Sequence, residues 1–223
     1  MKALWTTRQD GDLRTVGRIP LTAEMVRRRS LVVARPWVTL DQVHGAHVVT
    51  VDRNGGVIDE SLGDQGVPTG DALVSDTFER ALAVMTADCA SLALADPHGT
   101  MAAVHAGWRG LLAGVIEKTV EAMRRGGTGP IVAALGPCIH PECYEFGLEG
   151  LDALGDRFGP GVRARTATGS WALDLPAAVR AAVDRSGAAM VNCPSPCTAC
   201  HPDYFSHRAR GDVGRQALVM WRE

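Results

Sequence analysis

The sequence contains no run of about 18 apolar residues, the length that a membrane-spanning helix needs. Its first residues, MKALWTTRQDGD, become polar at once and lack the apolar core of a secretory signal. Tandem repeats and low-complexity linkers are absent as well. We therefore expect a cytoplasmic protein that does not act at a membrane.

An excess of either charge is also missing, since 23 basic and 25 acidic residues leave a net charge of −2. No overall basic field favours nucleic acid as a partner. The apolar content of 46% and the charged content of 22% are typical of globular proteins. A chain of 223 residues suits one domain, spanning residues 1–223, with enough sequence for a substantial core.

Six cysteines are present, and in a reducing compartment they are expected to be thiols or metal ligands. The stretch SPCTACH carries a C-x-x-C-H haem signature, which the missing export signal disfavours. It also carries P-C-x-x-C, which pairs with H-x-E at residues 140–142 as a zinc deaminase signature. The two halves lie far apart in sequence and Pro141 interrupts one, so we interpret the match as coincidental. A second zinc site remains an option, with the candidate ligands Cys193, Cys197, Cys200 and His201.

Hydrophobic periodicity predicts helices over residues 22–31, 108–125, 148–158 and 175–186, with Thr22 capping the first. Strands are predicted over residues 38–51, with an interruption at Gly45, and over 81–85, 91–95, 101–104, 131–135 and 216–221. Residues 53–70 are predicted to form a long loop. Hairpin-like pairs mixed with strand–helix–strand units indicate an α/β (mixed α+β) fold in which helices cover mixed sheets.

Three possible metal ligands lie at or near the ends of apolar strands: His44, Cys89 and His105. Small neighbours leave room for a ligand beside each of them. Cys89 and His105 are a hairpin's length apart, so both could face one site from neighbouring strands. Two histidines and one cysteine suit a catalytic zinc ion with an open fourth position. Spacing alone is equally compatible with a buried thiol and hydrogen-bonded imidazoles.

Six stretches, in order, are DQVHG, GDALVSD, TADCASLALAD, AAVHAGWRG, LGPCIHPECYEFG and YFSHRARGDVGRQAL. Together they closely resemble the laccase-domain (YfiH-like) family, long called multicopper polyphenol oxidases and now regarded as zinc-dependent purine nucleoside enzymes. The resemblance runs from about Asp41 to the C-terminus. It implies a fold of two mixed sheets with helices outside, in α/β/β/α layers. The chain departs from the pattern in a shorter segment before QVHG and in His140, where the family commonly has glycine.

The resemblance implies that His44, Cys89 and His105 bind Zn²⁺. It also implies phosphorolysis of adenosine, inosine, guanosine and methylthioadenosine, together with adenosine deamination. The expected partners are therefore purine nucleosides and inorganic phosphate. Oligomeric state is not indicated.

Further candidates follow from their positions in these motifs. Asp88 could act with Cys89 in catalysis or orient His105, and Arg109 at a helix start could bind phosphate. Gln42 shares the face of His44 on an extended strand and could contact a base. The remaining candidate substrate-binding residues are Tyr144, Glu145, Ser206 and Arg208.

Other functions stay open at this point. A blue-copper centre also uses two histidines and a cysteine, although seven histidines are too few for a full multicopper centre. A Cys89/His105 dyad could act as a metal-free thiol hydrolase on an amide. A zinc-stabilised binding module would require a closed site, whereas three ligands leave a position open.

Overall fold

A computed structural model describes residues 1–14, 21–58, 67–127 and 129–223. Its helices are α1 (Ala23–Val32), α2 (Trp108–Ala113), α3 (Val115–Arg124), α4 (Leu148–Phe158), α5 (Leu175–Ser186) and α6 (His207–Arg210). Its strands are β1 (Lys2–Trp5), β2 (Trp37–Val38), β3 (Val48–Val51), β4 (Ala72–Ser75), β5 (Ala81–Thr86), β6 (Ala90–Ala95), β7 (Met101–Ala106), β8 (Val132–Leu135), β9 (Arg163–Arg165), β10 (Trp171–Leu173), β11 (Ala189–Met190) and β12 (Gln216–Trp221). Within these ranges no helix combines the length and the apolar character needed to cross a bilayer.

Within the described residues, the strands form two mixed sheets and one small hairpin. The larger sheet has six strands in the order β11-β8-β6-β7-β4-β3, with parallel pairs at both edges and antiparallel pairs between them. The smaller sheet has the order β1-β12-β5-β2 and is antiparallel except for β2 beside β5. Strands β9 and β10 form the hairpin.

The two sheets stack face to face, and helices cover their outer faces. Leu82 and Leu218 of the smaller sheet pack against Leu73 and Met101 of the larger one. The other face of the larger sheet carries α2 to α5 in the largest apolar cluster. The end of α1 packs over the other face of the smaller sheet, through Val32. The predicted α/β/β/α layering is therefore confirmed.

Local sequence signals explain most helix boundaries. The Thr22 side chain accepts a hydrogen bond from the Met25 N–H, which confirms the predicted N-cap of α1. Helices α4 and α5 span the predicted ranges. The single helix predicted over residues 108–125 is wrong in one respect, because Gly114 adopts φ +82° and divides it into α2 and α3.

The long strand predicted over residues 38–51 is also wrong. Its two ends form β2 and β3, which belong to different sheets. His44 lies between them at φ +60°, a left-handed conformation that no regular strand contains. Strands β5 and β6 likewise belong to different sheets, and Asp88 at φ +88° lies in the short connection between them. Part of the loop predicted over residues 53–70, namely 59–66, lies outside the described residues.

Candidate metal centre

The fold brings His44, Cys89 and His105 together, and we call these three residues the ligand trio. His44 lies in the loop between β2 and β3, Cys89 immediately precedes β6, and His105 lies near the end of β7. Antiparallel pairing of Ala90 with Ala106 and of Ser91 with His105 places Cys89 diagonally across from His105. The possible ligand atoms of the trio all lie within 4.8 Å of one another, and Cys89 Sγ is 3.8 Å from His44 Nε2.

Asp71, which the sequence analysis did not single out, anchors two members of the ligand trio. Its Oδ1 is 2.8 Å from His105 Nδ1 and also accepts a 2.9 Å hydrogen bond from the His44 N–H. Its Oδ2 accepts a 2.7 Å bond from the Gly45 N–H. The carboxylate is fully buried. It therefore holds the strained His44 loop in place and leaves His105 Nε2 as the nitrogen that could bind a metal.

Electrostatics favour an ionised thiol at this point. Burial opposes ionisation, but the charge of His105 and hydrogen bonds from both histidines lower the pKa of Cys89 to about 6. Burial likewise works against the His105 cation, yet Cys89 and Asp71 raise the pKa of His105 to about 9. The pKa of Asp71 is lowered: its burial is outweighed by the bonds from His105 and the loop. A thiolate beside two imidazoles is a donor set that suits Zn²⁺.

Gly107 provides the space beside the ligand trio. A Cβ atom at this position would lie 2.9 Å from His44 Cδ2 and 3.3 Å from Cys89 Sγ. The backbone at Gly107 has φ −71°. Its conformation is therefore open to any residue, and the requirement for glycine is steric.

A cleft of about 260 Å³ opens on one side of the ligand trio. Gln42 lines it, but its carboxamide is hydrogen-bonded to both the N–H and the C=O of Met85. Two arginines that the sequence analysis missed, Arg14 and Arg215, also line the cleft. The Arg14 Nε is buried without a hydrogen bond, 3.7 Å from an Asp12 carboxylate oxygen. These arginines come from opposite ends of the chain, and no local pattern connects them.

One option from the sequence was that Asp88 orients His105. In the structure Asp71 makes that contact instead. Instead, the Asp88 carboxylate accepts 2.7 Å bonds from the Thr198 hydroxyl and from the Arg208 N–H. With both oxygens occupied, Asp88 joins the connection between the sheets to the C-terminal segment.

A row of aromatic rings, which we call the aromatic ladder, begins beside Arg208, whose N–H binds Asp88. Trp108 and Tyr144 each contact Phe146 edge to face, at centroid distances of 5.4 and 5.3 Å. The guanidinium of Arg109 lies 4.3 Å from the Trp108 ring centre, and that of Arg208 lies 5.0 Å from the Tyr144 ring centre. Two arginines therefore lie at the ends of one row of rings.

The electrostatic surroundings of Tyr144 link this ladder to the ligand trio. Burial raises the pKa of the Tyr144 hydroxyl above its usual range, and the negative charges of Cys89 and Asp88 raise it further. The positive charges of Arg208 and Arg109 act in the opposite direction. The hydroxyl therefore stays protonated at neutral pH and can donate a hydrogen bond.

The other two candidates hold Arg208 in place. The Ser206 hydroxyl is fully buried and caps α6 by accepting a bond from the Ala209 N–H. The Glu145 side chain is exposed, while its carbonyl accepts a 2.9 Å bond from Arg208 Nη1. The structure thus brings Tyr144, Arg208 and Asp88 together, and gives Ser206 and Glu145 supporting contacts.

A second group of possible ligands lies elsewhere: Glu142, Cys143, Cys197 and Cys200, which we call the thiol cluster. The two halves of the deaminase signature therefore do meet in space, contrary to the expectation from their separation. Pro141 begins a short 3₁₀ turn, a position that tolerates proline. Cys193 and His201, considered from the sequence, are not members of the cluster.

Comparisons with known proteins agree with this architecture. Residues 21–223 match the family described as "Multi-copper polyphenol oxidoreductase laccase". A Streptomyces coelicolor protein named "Purine nucleoside phosphorylase SCO2081" is 41% identical over 187 residues, covering 82% of this chain and 74% of the relative. A Xylella fastidiosa protein named "Purine nucleoside phosphorylase" is 36% identical over 216 residues, covering 92% and 80%.

Solved structures share the fold across nearly the whole chain. Neisseria meningitidis protein NMB0706, of family DUF152, superimposes with a TM-score of 0.80 at 31% identity, covering 99% of this chain and 93% of that one. YlmD from Geobacillus stearothermophilus gives a TM-score of 0.79 at 27% identity, with coverages of 99% and 92%.

Proposed function

The chain belongs to the multi-copper polyphenol oxidoreductase laccase family, and from this premise we propose that it is a zinc-dependent purine nucleoside phosphorylase that also deaminates adenosine. Relatives with that phosphorylase name, at 36% and 41% identity, support the first activity. The observation that carries the proposal is the ligand trio beside a cleft, with a donor set suited to zinc. Residues 1–223 would act as one domain.

The number of imidazoles disfavours a multicopper centre. The ligand trio contains two histidines, His44 and His105. A multicopper centre would need many more. Zinc bound by the trio would supply Lewis-acid chemistry at neutral pH. The role of Asp71 is to keep the His105 proton on Nδ1, so that Nε2 faces the ion.

In phosphorolysis the bond between C1′ of the ribose and the purine nitrogen breaks, while a phosphate oxygen bonds to C1′. The purine leaves with a proton, and ribose-1-phosphate is the second product. We assign phosphate binding to Arg109 and Arg208, because the charges of both guanidinium groups act on the Tyr144 hydroxyl. Tyr144 would offer its ring to the purine and its neutral hydroxyl as a donor.

The remaining candidates have supporting roles in this proposal. Asp88 and Ser206 position Arg208 through its backbone and its helix cap, and Glu145 positions the Arg208 guanidinium. Gln42 keeps one amide hydrogen and one acceptor position free of Met85, enough for one contact to a base edge in the cleft.

One observation favours a second function. Asp71, His105 and Cys89 form an acid–base–nucleophile row in which the thiol pKa is lowered to about 6. Without a metal this row is the arrangement of a thiol hydrolase acting on an amide.

A single experiment separates the two functions. The purified protein is incubated with adenosine and phosphate, with and without a chelator, and the products and the intact protein mass are measured. The proposal expects adenine with ribose-1-phosphate, some inosine, loss of both reactions on chelation, and no adduct. Chelation that activates the enzyme on an amide substrate, or a mass adduct on Cys89, would establish the hydrolase instead.

A further inference from the structure

The thiol cluster brings two distant parts of the chain into contact. Glu142 and Cys143 lie in the 3₁₀ turn Pro141–Cys143, while Cys197 and Cys200 lie in the turn that precedes α6. Cys143 Sγ is 3.1 Å from Cys200 Sγ, and Cys200 Sγ is 3.6 Å from Glu142 Oε1. One ligand atom from each of the four residues lies within 4.8 Å of the other three.

The backbone around Cys197 directs an N–H donor at its sulfur. The His140 N–H points at Cys197 Sγ at 3.4 Å, which is a donor toward a sulfur that is itself buried. The His201 N–H bonds to the Cys197 carbonyl at 2.9 Å, and this closes the C-x-x-C stretch into one turn. Such a turn presents both sulfurs of the stretch on the same side, as in the C-x-x-C half of many zinc sites.

A disulfide would account for less of this arrangement. All six cysteines are free thiols, and 3.1 Å is well beyond the length of an S–S bond, about 2.05 Å. A Cys143–Cys200 bond would leave the buried Cys197 and the Glu142 carboxylate without a function. Sulfurs that bind one tetrahedral zinc ion at about 2.3 Å are about 3.8 Å apart. The 4.8 Å limit on the separations within the cluster leaves room for that value.

We propose that Glu142, Cys143, Cys197 and Cys200 bind a second zinc ion, as a closed four-coordinate structural site. Cys143 takes the place that the deaminase signature gives to histidine, and four protein ligands leave no open position for a reacting molecule. The site is therefore distinct in purpose from the ligand trio. It does not depend on the function proposed above.

The contacts around the thiol cluster show what this ion would stabilise. Tyr144 directly follows Cys143, and Thr198 directly follows Cys197. Thr198 donates its hydroxyl to Asp88, and its carbonyl accepts a 2.9 Å bond from Arg210. A metal clip at this point would hold together the two segments that form the wall around Tyr144 and Arg208.

Zinc content measured on variants tests the proposal. The double variant His44→Ala/His105→Ala removes two ligands of the trio and is purified with a reductant and without chelator. We expect two zinc ions per wild-type chain, one in the double variant, and none when Cys200→Ser is added. Cys193→Ser is the matched control, since Cys193 lies in the same segment outside the cluster, and it should leave the count at one.

A double variant that folds but contains no zinc would overturn the proposal, as would zinc that survives Cys200→Ser. If Cys200→Ser fails to fold, the double variant is loaded with Co²⁺ instead. Sulfur-to-cobalt charge-transfer absorption is then expected, and its absence would overturn the proposal. Failure of phosphorolysis in the wild type would not affect either readout, so the two proposals can fail separately.

Discussion

Replacing Asp71 by asparagine tests whether this carboxylate orients the ligand trio. Asp71 accepts from His105 Nδ1, the His44 N–H and the Gly45 N–H at 2.7–2.9 Å while fully buried. Asparagine is nearly the same size, but only one of its two terminal atoms accepts. The Oδ1 position can keep the two histidine contacts, and the amide nitrogen then faces the Gly45 N–H.

Two losses follow from Asp71→Asn. The unpaired Gly45 donor should cost about 1–3 kcal/mol of unfolding free energy, or about 2–4 °C in melting temperature for each kcal/mol in a chain of this size. Removing a carboxylate partner from a metal-binding histidine typically weakens metal affinity about 10- to 100-fold. We therefore expect the zinc Kd to rise by that factor, equivalent to about 1.4–2.8 kcal/mol.

Competition with a chromophoric chelator gives the zinc Kd of the variant, and thermal melting of the metal-free form gives its stability separately. Asp76→Asn is the control, because Asp76 pairs at the surface with Arg53 and should change both values little. An unchanged zinc Kd in Asp71→Asn, within about twofold, would refute the argument that Asp71 fixes the His105 ring.

Three further predictions concern neighbouring residues. Arg109→Ala should remove a charge-assisted phosphate contact worth about 1.5–3 kcal/mol. The rate of phosphorolysis at limiting phosphate should therefore fall at least about tenfold, while the rate of deamination falls less. Equal losses in the two rates would contradict phosphate binding by Arg109. Gly107→Ala should weaken zinc binding and lower stability by about 1–3 kcal/mol, since the added methyl carbon meets His44 at 2.9 Å, whereas Gly147→Ala, with no atom within 4 Å of the added carbon, should not weaken zinc binding. In metal-free protein, the rate of Cys89 alkylation should be half-maximal near pH 6, because the pKa of this thiol is lowered by the charge of His105. A midpoint near the usual thiol value of about 8.5 would contradict this and show that His105 carries no charge at neutral pH.

Sequence patterns were sufficient where one element determines its own structure. Apolar periodicity and capping residues predicted α4, α5 and β12 to within their observed bounds. They could not show that β2 and β3 belong to different sheets, because alternation specifies an extended chain and not its partner strand. The positive φ of His44, which separates these strands, depends on the contact of its loop with Asp71.

In the two sites as well, local sequence predicted some residues, while others could be found only from their partners in the fold. His44, Cys89 and His105 could be chosen from residue type, small neighbours and motif, and the fold brings them within 4.8 Å. Asp71 could not be chosen, since an aspartate before a strand is an ordinary turn residue until its partner, His105, is known. For the thiol cluster, local spacing suggested Cys193 and His201. The observed partners of Cys197 and Cys200 come instead from the turn at residues 141–143, which is distant in sequence.

The central claim is that the ligand trio makes purine nucleoside phosphorolysis depend on zinc, and a zinc titration of metal-free enzyme tests it most directly. Ribose-1-phosphate formation from inosine and phosphate is followed while zinc is added, with His105→Ala measured in parallel. The account predicts no activity without metal, a rise that follows occupancy of the trio in the wild type, and no recovery in His105→Ala. Full activity of the metal-free wild type, or equal recovery in His105→Ala, would contradict it.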